Sequence, residues 1–230
     1  LNNKLAILAG ILLALVMEPA FAVDSVRTVD GFGSGNVAAK AIMIHTNANI
    51  SGMFDSGFAY NYFVLPNGAR EKWLPPGDNT SFGDYTHLPK AYHGGFGVFP
   101  DNCTPVNMNA ETIGIGLFYL QNRTGSRMQM EAAAGLVINL TRANQDIQYV
   151  LGQNVTAFYR MQDALGPGSN HGGLIYNPWY FSVQRFASIV NEQGSPYNIT
   201  FCVVDSISKY CNATSGINAT YPIEYLERMR

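Results

Sequence analysis

Between Thr112 and Gln121 the chain sets Ile113, Ile115, Leu117 and Tyr119 at every second position, with Gly114 and Gly116 between them. An apolar residue at every second place is the period of a strand with one buried face. Glycine at intervening places strips the other face of side chains and marks a point where something approaches the backbone closely. The segment is expected to be a strand whose apolar face packs on the core and whose other face is crowded.

Other stretches read less sharply. Val37 to His45 and Phe58 to Leu65 are apolar or aromatic runs bounded by Gly, Asn and Pro, and Ile199 to Ile207 is a further run carrying Cys202; all three read as strands. Met128 to Leu140 is ambiguous. Its Met/Gln/Met/Glu alternation and Val137-Ile138 favour a strand, its three alanines a helix, and Gly135 interrupts either; we assign a strand. Ala143 to Leu165 places Ile147, Val150, Leu151, Val155, Phe158 and Met161 on one stripe, which predicts an amphipathic helix ended by Gly166-Pro167. Trp179 to Val190 is a second helix or a strand pair. The expected fold is α+β and β-rich, an antiparallel sheet or sandwich with one or two helices, because helices do not alternate regularly with strands.

The N-terminal residues carry a separate signal. Lys4, an apolar run from Leu5 to Met17, then Pro19 and Ala20-Phe21-Ala22 follow the charged, apolar and small-residue order of a secretory signal. The run is too short for a hydrocarbon core about 30 Å thick, so no stable transmembrane span is expected. The reading is a signal peptide or retained apolar segment over residues 1–22 and one secreted domain over 23–230.

Three cysteines fall after that segment. Cys202 and Cys211 are close enough for a hairpin or tight loop to join them as a disulfide in an oxidising compartment, which leaves Cys103 over. Asn-X-Ser/Thr occurs at Asn49, Asn79, Asn122, Asn139, Asn154, Asn198, Asn212 and Asn218, where chance gives about two. These asparagines are candidates for glycans, although asparagine beside Ser or Thr is also ordinary turn chemistry.

The most distinctive local pattern is a recurrence. His93-Gly94-Gly95-Phe96-Gly97-Val98-Phe99-Pro100 and His171-Gly172-Gly173-Leu174-Ile175-Tyr176-Asn177-Pro178 share His-Gly-Gly, two apolar positions and the final Pro. Paired glycines and a closing proline suit two equivalent turns that feed extended segments. His93 and His171, with His87 and Asp84, could instead gather round a metal, but no Cys-x-x-Cys pair or His-Glu-x-x-His helix accompanies them; no metal site and no cofactor are assigned. A Gly-x-Ser-x-Gly elbow is missing, and Ser34 between Gly33 and Gly35 reads as a flexible turn. No neighbour in the sequence marks Cys103 as an activated nucleophile. The aromatic clusters at Tyr60, Tyr62, Phe63 and at Tyr176, Trp179, Tyr180, Phe181 read as core, interface or a sugar-stacking platform. No catalytic residue is assigned.

Charged residues make up only 13% of the chain and the net charge is −2, which removes the basic footprint of a nucleic-acid binder. A surface so poor in charge must be covered or hydrated by something else. In composition the chain is similar to subunits of surface filaments. The expectation is therefore a non-enzymatic structural subunit of an extracellular filament or layer, a fimbrium-like homopolymer whose partners are copies of itself and covalent glycans. The mature N-terminal arm, Val23 to Ala39, would supply the joining strand. A periplasmic or outer-membrane part of a secretion machine, and a secreted hydrolase or carbohydrate-binding module, are the alternatives.

Overall fold

The computed structural model describes residues 23–47, 59–93, 96–98, 105–118, 126–152, 183–195 and 199–203. In chain order they form β1 (Ser25–Thr28), β2 (Phe32–Asn36), β3 (Ala41–Asn47), β4 (Tyr62–Val64), β5 (Arg70–Leu74), β6 (Pro89–Ala91), β7 (Phe96–Val98) and β8 (Pro105–Asn107). There follow α1 (Met108–Glu111), β9 (Thr112–Phe118), α2 (Arg127–Ala143), β10 (Tyr149–Gly152), α3 (Val183–Glu192) and β11 (Thr200–Val203). Seven strands make one sheet in the order β1-β5-β4-β9-β3-β10-β11. The fold is mixed and sheet-rich, as expected of α+β, but the sheet is mostly parallel: only β4 and β5 run antiparallel.

Strand alternation sorts the side chains onto two faces. Ile42 and Ile44 of β3, Tyr62 and Val64 of β4, and Ile113, Ile115 and Leu117 of β9 join one core cluster with Met130, Ala133, Ala134 and Val137 of α2 and Phe186 and Val190 of α3. Both helices therefore cover the same face. Phe63 and Trp73 occupy the other face with Tyr60, Val29 and Ala91, and there Phe63 and Trp73 stack at 5.1 Å. A parallel sheet buried on both sides needs apolar residues at successive positions. That accounts for a charge-poor composition without any appeal to assembly.

Two assignments change. Met128 to Leu140 lies in α2, not in a strand. Ser126 caps the helix by accepting a hydrogen bond from the Gln129 amide at 3.0 Å, and the buried residues Met130, Ala133, Ala134, Val137 and Thr141 recur at helical spacing. Gly135 is tolerated inside it. The helix expected over Ala143 to Leu165 is corrected in turn. α2 stops at Ala143, Asn144 caps it by bonding back to Leu140, and Tyr149–Gly152 forms β10 between β3 and β11. Ile147, Val150 and Leu151, spaced 3 and 1, mimic a helical stripe while belonging to a turn and a strand, all three side chains being buried. Residues 153–165 lie outside the described residues.

Of the stretch Trp179 to Val190, the residues from Val183 onward are helix, and of the strand read over Ile199 to Ile207, Thr200–Val203 forms β11; residues 179–182 and 204–207 lie outside the described residues. Ser34 is part of β2 rather than a flexible turn. The signal-peptide reading of residues 1–22 lies outside the described residues. Among the described residues, no helix is long and apolar enough to cross a membrane.

The N-terminal arm is part of this chain's own fold. β1 pairs in parallel with β5, β2 pairs with β6, and the Val37 amide donates to the Leu88 carbonyl at 2.8 Å. Arg27 grips Glu71 with two hydrogen bonds of 2.8 and 2.7 Å, and the Trp73 indole donates to the same carboxylate at 3.0 Å. The arm is thus the edge of the sheet of its own chain. Deleting Val23 to Thr28 is expected to lower the melting temperature, because a largely buried carboxylate loses its cation and β5 loses its edge partner. A thermal melt of the truncated chain that matched the intact one would contradict this.

Candidate functional site

On the face away from the helices, the two glycines of β9 do what their spacing foretold. A Cβ on Gly114 would lie 2.7 Å from Cγ of His93, and one on Gly116 would lie 2.5 Å from Tyr60 and 2.6 Å from Phe63. The missing side chains make two troughs, one filled by the His93 imidazole and the other by the Tyr60 ring. In register, His45 of β3 stands beside Gly116, and Phe63 of β4 stands on its other side. His45 lies 4.8 Å from Tyr60 and 5.1 Å from His93, ring centre to ring centre, the two imidazoles edge to face.

The hydrogen bonds of this cluster settle its tautomers. Nε2 of His93 lies 3.1 Å from the Thr112 carbonyl, and a carbonyl can only accept, so Nε2 carries the proton. The Thr112 hydroxyl, 3.4 Å away, donates its own hydrogen to the Met108 carbonyl at 2.7 Å. Burial holds the His93 pKa down at about 4, against a smaller upward pull from the Thr112 carbonyl, so at neutral pH the ring is neutral by about a thousandfold. Its Nδ1 is then an acceptor. Nε2 of His45, 2.9 Å from it, must be the donor, so the neutral form of His45 carries its lone pair on Nδ1.

This relay starts at Thr112, the first residue of β9, and passes over Gly114 to His45 beside Gly116. It therefore runs toward the carboxyl ends of parallel strands, the end at which open sheets of this kind take their ligands. The His93 backbone is held as well: its amide donates to Oδ1 of Asn109 at 2.8 Å, and Asn109 sits in α1, capped by Asn107. Both imidazoles are buried, His45 with no exposed surface and His93 with 1%.

Of the residues singled out in the sequence, His93 belongs to this site, whereas His87 and Asp84 do not. His87 Nε2 pairs with Asp78 Oδ2 at 2.7 Å. The Asp84 carboxylate accepts from the His87 and Thr86 amides and the Thr86 hydroxyl, which pull its pKa down to about 2. Lys72, buried nearby, donates to the Ser81 carbonyl at 3.4 Å and also to that of Asp84; it ties down the loop carrying these residues. His171, Cys103 and the second His-Gly-Gly segment lie outside the described residues. Among the described residues, no three His, Cys, Asp or Glu side chains cluster as a metal site; a lone pair on His45 Nδ1 is what this site could offer a cation.

Of the glycan candidates, Asn79 is exposed, whereas Asn139 is half-buried on α2 with its side-chain amide donating to the Tyr85 hydroxyl at 3.1 Å. Asn49, Asn122, Asn154, Asn198, Asn212 and Asn218 lie outside the described residues. Cys202 is in β11, and Cys211, its expected partner, lies outside them.

No protein-family model matches the chain, and no curated protein matches it. Solved structures similar to it include the endolysin N-acetylmuramoyl-L-alanine amidase LysCS of Clostridium intestinale, with 13% identity and a TM-score of 0.36 over 54% of this chain and 78% of that one. The amidase LysC of the same organism gives 13%, 0.36, 54% and 79%. A selenomethionine derivative of AmpD gives 12% identity and a TM-score of 0.45 over 74% of this chain and 96% of that one. The filament-subunit reading and the denial of enzymatic activity are corrected here. Two of these similar structures are named as amidases rather than filament subunits, and the arm expected to join subunits pairs with β5 and β6 of its own chain.

Sequence reasoning missed His45, Asn61, Asn109 and Thr112 and left Tyr60 among general aromatics. The signal for His45 was there: a histidine that directly follows the buried run Ala41 to Ile44 and precedes polar residues.

Proposed function

We propose that this chain is a hydrolase in which the Nδ1 lone pair of His45 activates water. One observation carries the reading: the Thr112 carbonyl, through His93, fixes Nε2 of His45 as the donor, so that the neutral ring keeps its lone pair on Nδ1. Orienting an imidazole through its second nitrogen is the arrangement used both for general bases and for metal-ligating histidines. The trough over Gly114 seats the His93 ring that orients His45. The lone pair can take the proton of water itself or hold a cation that lowers the pKa of water.

The named similar structures supply a first substrate to assay, the amide between N-acetylmuramic acid and L-alanine. Export, read from the order of residues 1–22, is proposed alongside and would give the enzyme an extracytoplasmic substrate. His45→Ala is expected to lower the rate of amide hydrolysis by a factor of about 100 or more while the far-ultraviolet circular dichroism stays unchanged. Activity lost to a chelator and restored by a divalent cation assigns the lone pair to a metal ion; indifference to chelator assigns it to the proton. A His45→Ala protein as active as the parent defeats the proposal.

A further inference from the structure

We propose that Asn61 is a positioning residue for the His45–His93 pair, because its side-chain amide holds both the floor under His93 and the strand that delivers it. The inference rests on the reading of His45 as the reactive group, and it names what keeps that group in place. Asn61 directly precedes β4 and is 1% exposed. Its Oδ1 accepts from the Gly114 amide at 2.9 Å, while its own backbone amide donates to the Gly114 carbonyl at 3.0 Å. Gly114 is thus gripped at both of its peptide groups by one residue. This is the glycine whose bare face supports the His93 ring.

The other end of the side chain does a second task. Nδ2 of Asn61 donates to the Pro89 carbonyl at 2.7 Å, at the start of β6, four residues before His93. β6 has no ladder partner in the seven-stranded sheet; it pairs with β2. The asparagine amide therefore supplies a hydrogen bond from the main sheet to the strand that leads to His93. The Trp73 amide closes on the Asn61 carbonyl at 3.0 Å, so β5 fixes the residue from behind. Remove the amide, and a buried glycine N–H and a proline carbonyl both lose their partners. The ring above then loses its register with the Thr112 carbonyl and with His45.

Another buried amide separates this role from simple structural support. Gln129 of α2 is equally buried and donates to the Val64 and Phe118 carbonyls at 2.8 and 2.7 Å, bridging β4 and β9 on the helix face without touching either imidazole. The test compares Asn61→Ala with Gln129→Ala in the full chain labelled with 15N-histidine. Ring nitrogen–proton correlations are recorded at pH 7 beside a thermal melt. Both variants are expected to melt lower than the parent. Only Asn61→Ala is expected to lose the Nε2–H tautomer signature of His93 and His45. Should Asn61→Ala fail to fold, Asn61→Leu serves, since it fills the site but offers neither an acceptor to the Gly114 amide nor a donor to the Pro89 carbonyl, and the same loss is expected. An unchanged signature in the Asn61 variant, or its disappearance in Gln129→Ala as well, overturns the positioning role. A parent spectrum without the Nε2–H tautomer in both rings defeats the relay beneath the proposed function, a failure distinguishable from the other two.

Discussion

Gly114→Ala is expected to lower hydrolysis by about 100-fold or more and to destabilise the fold by about 1–3 kcal/mol. The added Cβ would meet Cγ, Cδ2 and Nδ1 of His93 at 2.7, 2.8 and 3.0 Å, distances no methyl group tolerates. These atoms are the root and inner edge of a ring rather than the far end of a flexible chain. The ring has nowhere to go: Thr112 and His45 hold its two nitrogens, and Asn109 holds its backbone. Overpacking of a tight core costs an amount of this order, and a displacement of about 1 Å at a reacting group costs about a hundredfold in rate. Gly135→Ala is the control. There the new Cβ meets only Arg70 and Gln193, at 3.6 and 3.9 Å, ordinary contact distances at a half-buried helix position where alanine is favoured by about 1 kcal/mol. Thermal melts of the two variants should move in opposite directions. A Gly114→Ala protein that kept its melting temperature and rate would mean that His93 does not rest where the geometry puts it.

The two glycines were also the most legible part of the site. Alternation at Ile113, Ile115 and Leu117 announced a strand with one core face, and the glycines announced a close approach on the other. What approached could not be read. His93 and His45 meet at 2.9 Å although 48 positions apart, and no periodicity links residues on strands that become neighbours only through the sheet order. Polar residues placed by hydrogen bonds are equally silent: Asn61 and Thr112 look like ordinary strand-edge residues until the carbonyl each serves is known.

The misread elements failed for opposite reasons. In α2 the alternation of Met128, Gln129 and Met130 imitated a strand because Gln129 is buried for its hydrogen bonds to β4 and β9 rather than for apolar contact. In β10 a strand buried on both faces showed no alternation, and its apolar residues fell by accident on a helical stripe. The N-terminal arm was expected to add to the sheet edge of a neighbouring copy. It adds to its own sheet instead, and its pairing with β5 is made by backbone and by the Arg27–Glu71 ion pair, neither of which the sequence reports.

Folding stability should fall as the pH drops from about 6.5 toward 4, and His93 should be the cause. In the unfolded chain its imidazole titrates near the ordinary value of 6.5; in the folded protein burial holds the pKa at about 4. Between these values the unfolded state binds more protons than the folded one, so stability rises with pH across the window. The contribution is complete above the unfolded pKa and is lost progressively as the pH falls through the folded one. The separation corresponds to about 3 kcal/mol, a large share of the 5–15 kcal/mol typical of a domain. Protonation strikes the relay directly, since Nδ1 of His93 can accept from His45 only while neutral. The acid sensitivity of folding and the loss of the oriented His45 tautomer should therefore go together. Urea denaturation at pH 7.0, 5.5 and 4.5 measures the first, and His93→Gln, which cannot take up a proton, should show a shallower loss over the same range despite being less stable at pH 7. If the parent and His93→Gln lose stability in parallel, the proton goes elsewhere and the buried imidazole is not the acid-sensitive element.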